Sequence, residues 1–304
     1  MESARSSIEP PEKESYIPTR VLTQVFTGLD MKATQMMLFR PHLSSEYRDI
    51  DFQLSMPNNF RTIEEATDYL AELLASGLRV VCSLWLRLTN DTAGLERAAC
   101  QNQLEKVRLA DRNWSAAYDS LCLNLGSTKL RARHMLELYQ IPLSMTLAIE
   151  PKEAVALGEM RWDKYTKEFA RMIEHANELL DPSRKTSKSR IEYNPDYGFV
   201  SPVFCVIHWC RDPTIRREGI RILESASCRD GCWDSEILAR VGRTIVALEE
   251  KDLGEITCAA DVPSWARLTA VDPEFDMEKS SMRMKYWRKS VEGDVVSYEE
   301  YVEW

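Results

Sequence analysis

The feature that most constrains this fold is a long amphipathic segment that begins at Thr62. Thr62 and Glu65 have the spacing of a capping box, in which each residue satisfies a free N–H group of the first helical turn. Apolar residues then recur at alternating steps of three and four residues, which is one continuous helical face. They are Ile63, Ala66, Leu70, Leu73, Gly77, Val81, Leu84 and Leu88. This segment therefore predicts a long helix packed within a helical body.

Further helical patterns lie on both sides of this segment. They cover residues 16–37, 92–125, 129–149, 162–180 and 235–251. Pro142 lies inside one of them, and we expect a kink or break there because proline lacks an N–H donor and crowds the preceding turn. Asp212 followed by Pro213 has the form of an N-cap and a first helical residue.

The C-terminal part changes period. Residues 275–277 and 282–287 alternate apolar and polar residues, as strands do, and 278–281 would form the turn. We therefore predict an all-α fold of antiparallel helical pairs in one compact body, closed by a small β-hairpin at about 266–288. This domain covers residues 16–304. Residues 1–15 are expected to be a disordered tail, because they hold too little apolar surface to order.

Composition excludes several classes of function. The net charge of −9 and the pI near 5.2 oppose binding to duplex DNA, whose phosphates attract basic proteins. No apolar run approaches the ~18 residues that span a bilayer, and the start of the chain lacks the apolar core of a secretory signal. We expect a soluble intracellular protein with no membrane partner and no direct specific contact with DNA.

Metal and cofactor sites are not predicted. Cys205, Cys210, Cys228 and Cys232 could form a zinc site, but their internal gaps of four and three residues differ from the two-residue gap of most zinc motifs. No glycine-rich phosphate loop precedes a helix. The cysteines are therefore interpreted as reduced thiols.

No catalytic residue can be assigned from a motif. The chain has four histidines and lacks both a His-Glu-x-x-His pair and a Gly-x-Ser-x-Gly elbow. If the protein is an enzyme, the first candidates are Tyr193, Tyr197, His208 and Glu236. Aromatic residues could instead line an apolar ligand pocket, although a core position is the more frequent role. These are Trp85, Trp114, Tyr118, Tyr139 and Trp209.

Four short motifs occur in order between residues 197 and 250. The first contains Tyr197, Gly198, Phe199 and Pro202; the second contains Arg211, Asp212, Pro213, Arg216 and Arg217; the third contains Gly231, Trp233 and Asp234. The last is the pair Glu249-Glu250. This order resembles the C-terminal, non-DNA-binding region of fungal binuclear zinc-cluster transcription factors. The resemblance extends over most of the chain from about Tyr16, but it is specific only within these motifs.

The resemblance implies a regulator-like protein that acts through a protein partner, a second copy or a hydrophobic small-molecule effector. It also implies the nucleus as location, with the cytoplasm as the alternative, and a setting in a fungal secondary-metabolite gene cluster. The sequence shows no zinc-cluster module. The alternative is a pathway enzyme or small-molecule-binding protein that reuses the helical body. An enclosed cavity with buried acidic or histidine side chains would favour that alternative, whereas an apolar surface patch would favour the regulator.

The motif residues are expected to be structural. We predict that Arg211 or Arg217 pairs with an acidic helix end, and that Trp233 anchors the helix that follows Gly231. The basic segment at 181–190 could be a nuclear-import signal or a mobile, solvated loop.

Overall fold

The computed structural model describes residues 52–89, 94–124, 130–180, 192–194, 198–231, 233–290 and 293–304. The predicted tail at 1–15, the helix at 16–37 and the basic segment at 181–190 lie outside the described residues. The described part is dominated by helices and also contains two small sheets.

The first three helices are α1 (Ile63–Thr89), α2 (Gly94–Asn124) and α3 (Leu130–Ala148). Thr62 caps α1 as predicted, because its Oγ1 accepts the Glu65 N–H at 3.1 Å. The Glu65 carboxylate accepts the N–H of Arg61 at 2.7 Å and not that of Thr62. The second hydrogen bond of the capping box therefore forms one residue earlier than predicted. Helix α3 runs through Pro142, so of the two predicted outcomes, a kink or a break, the break does not occur.

Helices α1 and α2 run antiparallel. The Trp114 indole N–H donates to the Ala66 carbonyl at 3.0 Å, and Val107 lies against Gly77 further along the pair. Together with α3 they enclose an N-terminal core around Leu70, Trp114 and other large apolar side chains.

The remaining helices surround a second, C-terminal core. They are α4 (Pro151–Leu157), a 3₁₀ helix (Gly158–Tyr165), α5 (Thr166–Leu179), α6 (Val200–Trp209), α7 (Pro213–Ala226) and α8 (Ser235–Glu250). The predicted helix at 162–180 thus begins as a 3₁₀ turn. Helix α3 joins the two cores, since Leu138 and Ile141 belong to one and Tyr139 and Leu143 to the other.

The predicted hairpin is wrong in extent. Strands β4 (Leu268–Asp276) and β5 (Ser281–Lys289) form it, but β6 (Val295–Glu303) adds a third antiparallel strand. Most β6 side chains are exposed, so the strand lacks the alternation that marks a half-buried strand.

The predicted helix-dominated body is confirmed, but the C-terminal strands are not its only β-structure. Strands β1 (Glu192–Asn194), β2 (Cys228–Asp230) and β3 (Trp233–Asp234) form a second sheet, with β1 parallel and β3 antiparallel to β2. These strands are too short to show any periodicity in the sequence. Within the described residues, no helix is both long enough and apolar enough to cross a bilayer.

Candidate functional site

The four sequence motifs meet where α6, α7 and α8 pack together. Gly198 enters this region and is buried against the carboxylate of Asp230 in β2. A Cβ atom at position 198 would lie 1.7 Å from the Asp230 Cγ, so only glycine allows this approach. Asp230 Oδ2 accepts the N–H of Val200, the first residue of α6, at 2.9 Å. Asp230 therefore caps α6 from a distant strand, and a negative charge at this helix end is favourable. Pro202 lies in the first turn of α6, where its missing N–H leaves no intrahelical bond unmade.

The third motif forms a turn and a cap. Gly231 has a φ of 62°, the left-handed conformation that glycine adopts without a steric penalty. Trp233 is 8% exposed and packs in the C-terminal core, as expected of an anchor. Asp234 Oδ1 then accepts the N–H groups of Glu236 and Ile237, each at 3.1 Å, and so caps α8.

The second motif begins α7. Asp212 Oδ1 accepts the N–H groups of Thr214 and Ile215, each at 3.0 Å, and Pro213 is the first helical residue. This confirms the N-cap and proline that the sequence predicted.

A fully buried ion network centred on Glu249 ties this region together. Glu249 Oε1 accepts from Arg211 Nη2 and from the Leu268 N–H, both at 2.7 Å. Its Oε2 accepts from Arg216 Nη2 at 2.5 Å. The carboxylate therefore joins the end of α8 to the α6–α7 turn and to β4. The predicted pairing of Arg211 with an acidic helix end is confirmed.

The two arginines also bond to backbone carbonyls. Arg211 Nη1 donates to Trp209 O at 2.9 Å, and Arg216 Nε donates to Ile207 O at 2.9 Å. Burial alone would raise the pKa of Glu249, but both guanidinium groups outweigh it and lower that pKa to about 2. The cluster is therefore ionised at neutral pH, and no described oxygen of Glu249 is left to act on a ligand.

A second network continues the first and has no signal in the sequence. Arg267, fully buried at the start of β4, donates to both oxygens of Asp163 at 2.6 and 2.8 Å. Glu159 is buried beside Arg267, and its Oε2 atom lies 3.7 Å from Arg211 Nη1. Because Arg267 and Asp163 are 104 positions apart, no local spacing could have predicted this pair.

Ion pairs also line the outer surface between α7 and α8. Arg217 Nη2 lies 2.5 Å from Glu250 at one end, and Arg243 pairs with Glu224 at the other, so the two helices run antiparallel. An open depression lies between these pairs, with Ile220, Val246 and Ala247 beneath it. Each arginine is balanced by a glutamate, so this surface carries no strong local charge.

The candidate catalytic residues do not form one site. His208 is 2% exposed in α6, and burial, helped by Arg211, lowers its pKa to about 4. Glu236 lies at the surface and pairs with Arg240 at 2.6 Å. Tyr193 lies in β1, in register with Arg229, and Tyr197 lies outside the described residues.

The aromatic pocket candidates are mainly core residues. Trp114 stacks on Tyr118 in the N-terminal core, and Trp209 stacks on Trp162 with centroids 4.3 Å apart. Tyr139 and Trp209 also line a cavity of about 20 Å³ between the two cores. Its other described lining residues are Leu74, Leu78, Pro142, Leu143, Thr146, Pro202 and Cys205. A space of this size holds about one water molecule and no organic ligand. The side chain of Trp85 lies outside the described residues.

The cysteines are consistent with thiols in an apolar environment. Burial raises the pKa of Cys205 to about 12 and that of Cys210 to about 11. In the part of the chain that is described, no group of three potential ligands is placed to hold a metal ion. Cys232 lies outside that part.

One further contact between titratable side chains could not be read from the sequence. His134 in α3 and His175 in α5 face each other, with their Nδ1 atoms 2.9 Å apart. Burial and the neighbouring His134 lower the pKa of His175 to about 4. This contact between the two Nδ1 atoms joins α3 to α5.

Comparisons with known proteins identify no relative. No family model matches the chain, and neither the curated proteins nor the solved structures include a match. The resemblance to zinc-cluster regulators therefore rests on the sequence motifs alone.

Proposed function

We propose that this protein is a regulator of transcription that acts by non-covalent association and not by turnover. In this proposal it works in the nucleus, through a protein partner or a hydrophobic small-molecule effector, in the setting of a fungal secondary-metabolite gene cluster. The proposal starts from the motif resemblance. The geometry of the motif residues supports one claim of the proposal, that the protein acts by non-covalent association and not by turnover.

The observation that carries the proposal is that Glu249 and His208 are buried against protein groups and do not face a ligand site. Glu249 is fully buried, and both of its oxygens accept hydrogen bonds from Arg211, Arg216 or the backbone of Leu268. His208 is also enclosed in the core. A general acid or base must come within hydrogen-bond reach of a substrate, and these groups face protein instead.

The cavity between the two cores supports the same proposal. The described residues that line it include no acidic or histidine side chain, and it has room for about one water molecule. Exposed apolar side chains occur instead on the C-terminal sheet, including Tyr301 and Val295 at 68% and 60% exposure. Exposed apolar surface of this kind is typical of association.

The decisive experiment is deletion of the gene, with transcripts and metabolites followed in parallel. A regulator predicts altered transcripts of the neighbouring pathway genes and their restoration by the wild-type gene. The matched control is the same strain complemented with Glu236→Gln, which removes an exposed carboxylate that a catalytic role would need. Unchanged transcripts with one accumulating intermediate, and loss of rescue by Glu236→Gln, would mean an enzyme.

A further inference from the structure

Strand β6 forms a regular edge of the C-terminal sheet. The strand order is β4-β5-β6, and among the described residues β6 pairs with β5 alone. The pairing is continuous from Ser281 opposite Glu303 to Lys289 opposite Val295, without a bulge. An edge strand of this kind presents a row of backbone groups that can pair with another strand.

The hydrogen bonds at the two ends of β6 show which backbone groups face outward. The Ser290 N–H donates to Asp294 O at 2.7 Å, and the Trp304 N–H donates to Ser280 O at 2.9 Å. Bonded pairs alternate along an antiparallel ladder, so the even-numbered residues of β6 bond to β5. The odd-numbered residues direct their N–H and C=O groups to the free edge. They are Val295, Ser297, Glu299, Tyr301 and Glu303.

The side chains of β6 combine exposed apolar groups with a single sign of charge. Val295 and Tyr301 are 60% and 68% exposed on one face, and Val296 and Tyr298 are 36% and 38% exposed on the other. Tyr298 stacks on Tyr286 of β5, with ring centroids 5.5 Å apart. The strand contains no lysine, arginine or proline, and its only charged residues are Glu299, Glu300 and Glu303.

We propose that β6 pairs with β6 of a second copy of this chain, antiparallel about a two-fold axis at Tyr298. The two three-stranded sheets then become one continuous sheet. Tyr298 lies opposite Tyr298 of the second copy, so the Tyr286–Tyr298 stack continues across the axis. Val295 lies opposite Tyr301 of the second copy, a pairing of β-branched and aromatic residues that stabilises antiparallel strands.

The acidic residues of β6 select this register. With the axis at Tyr298, Glu299 lies opposite Ser297 of the second copy, and Glu300 lies opposite Val296. Moving the axis to Glu299 or Glu300 places that glutamate opposite itself. Moving it to Ser297 places Asp294 opposite Glu300. Like charges directly opposite are destabilising, so the acidic residues disfavour these three neighbouring registers.

This inference names one partner within the proposed regulatory function and rests on that function for its biological meaning. Its test is separate, because it measures mass and not transcripts. The full chain of 35.1 kDa should show twice that mass by light scattering and native mass spectrometry. If the protein is a monomer but the deletion strain shows altered transcripts, this inference is overturned and the proposed regulatory function stands.

Two sets of variants test the edge itself. Ser297→Pro removes an outward N–H group while leaving the bonds to β5, so it should give the monomer mass with unchanged circular dichroism. Ser297→Glu places a second carboxylate opposite Glu299 of the other copy. We expect it to raise the dimer Kd at least about fivefold at low salt, and less at high salt. Ser297→Gln is the uncharged control and should dimerise like the wild type.

Three results would overturn the proposal. One is a wild-type mass of 35.1 kDa at every protein concentration up to about 100 μM, which is about 100 times the Kd of a micromolar dimer. Another is a dimer that persists in folded Ser297→Pro. The third is an equal loss of dimer in Ser297→Glu and Ser297→Gln, because a charge-selected register predicts that only the glutamate weakens pairing.

Discussion

Replacing Glu249 with glutamine should destabilise the protein more than any exposed charge change. Glutamine keeps the size of the side chain, but only one of its two terminal atoms can accept a hydrogen bond. Its amide nitrogen must then face a donor of Arg211, Arg216 or Leu268, which the Glu249 oxygens now satisfy at 2.5 to 2.7 Å. Two buried guanidinium groups also lose their shared counter-charge.

The magnitude follows from the burial of the network. Breaking a buried ion pair by removing one partner costs about 3–5 kcal/mol, because an uncompensated charge stays in the core. Arg211, Arg216 and Glu249 are all 0% exposed, so this range applies. For a domain of this size the change corresponds to a fall in Tm on the order of 10 °C.

Urea unfolding followed by tryptophan fluorescence measures this free energy of unfolding. The matched control is Glu250→Gln, one residue further along α8, whose partner Arg217 is 51% exposed. Glu250 is 15% exposed, but its partner arginine is screened by solvent, so this control should cost on the order of 1 kcal/mol, well below Glu249→Gln. If Glu249→Gln lost less than about 1 kcal/mol, or matched Glu250→Gln, the network would not stabilise the fold.

The pH dependence gives a second check on Glu249. The arginines hold its folded pKa at about 2, below its ordinary 4.5, so its stabilisation is complete above about pH 4.5 and is lost as the pH falls towards 2. The difference between these two pKa values corresponds to about 3 kcal/mol of unfolding free energy, at about 1.36 kcal/mol for each pKa unit. The gap in unfolding free energy between wild type and Glu249→Gln should therefore narrow across this range. A gap that stayed constant down to pH 2 would contradict the assigned ionisation.

Three further outcomes are expected. Gly198→Ala should displace Asp230 and lower the free energy of unfolding by about 2 kcal/mol or more, whereas Gly254→Ala, with open space around it, should change it by less than about 0.5 kcal/mol in the same urea titration. Trp233→Ala should cost about 3–5 kcal/mol; an unchanged Tm with lost activity would make Trp233 a functional residue instead. The purified chain should give no sequence-specific footprint on duplex DNA at submicromolar concentration and physiological salt, since its net charge is −9.

The sequence predicted best those features that depend on nearby residues. The caps at Thr62 and Asp212 accept N–H groups two or three residues further on, so their spacing is visible in one window. The long helices were found for the same reason, because their apolar faces repeat at three and four residues.

Features that join distant residues could not be predicted in this way. Asp230 caps a helix 30 positions earlier in the chain, and Arg267 binds Asp163 across 104 positions. Strand β6 was missed for a different reason. Its side chains are exposed on both faces, so burial imposes no alternation on its sequence.

The roles of the motif residues bear on what the motif resemblance can mean. Gly198, Gly231 and Asp234 shape turns and helix ends, while Arg211 and Arg216 hold the buried carboxylate of Glu249. A chain that shares these residues needs to share only this packing, because a fold does not fix a function.

Any regulatory specificity should therefore depend on exposed residues outside the motif network. The surface between α7 and α8 is a weak candidate, because Arg217 and Arg243 are each paired with a glutamate. Strand β6 differs, since it is acidic, has exposed Val295 and Tyr301, and presents an edge for pairing. Substitutions of the exposed β6 residues should then alter assembly and lower the Tm only by the concentration-dependent contribution of the dimer. Substitutions in the Glu249 network should lower the Tm and change assembly only through unfolding.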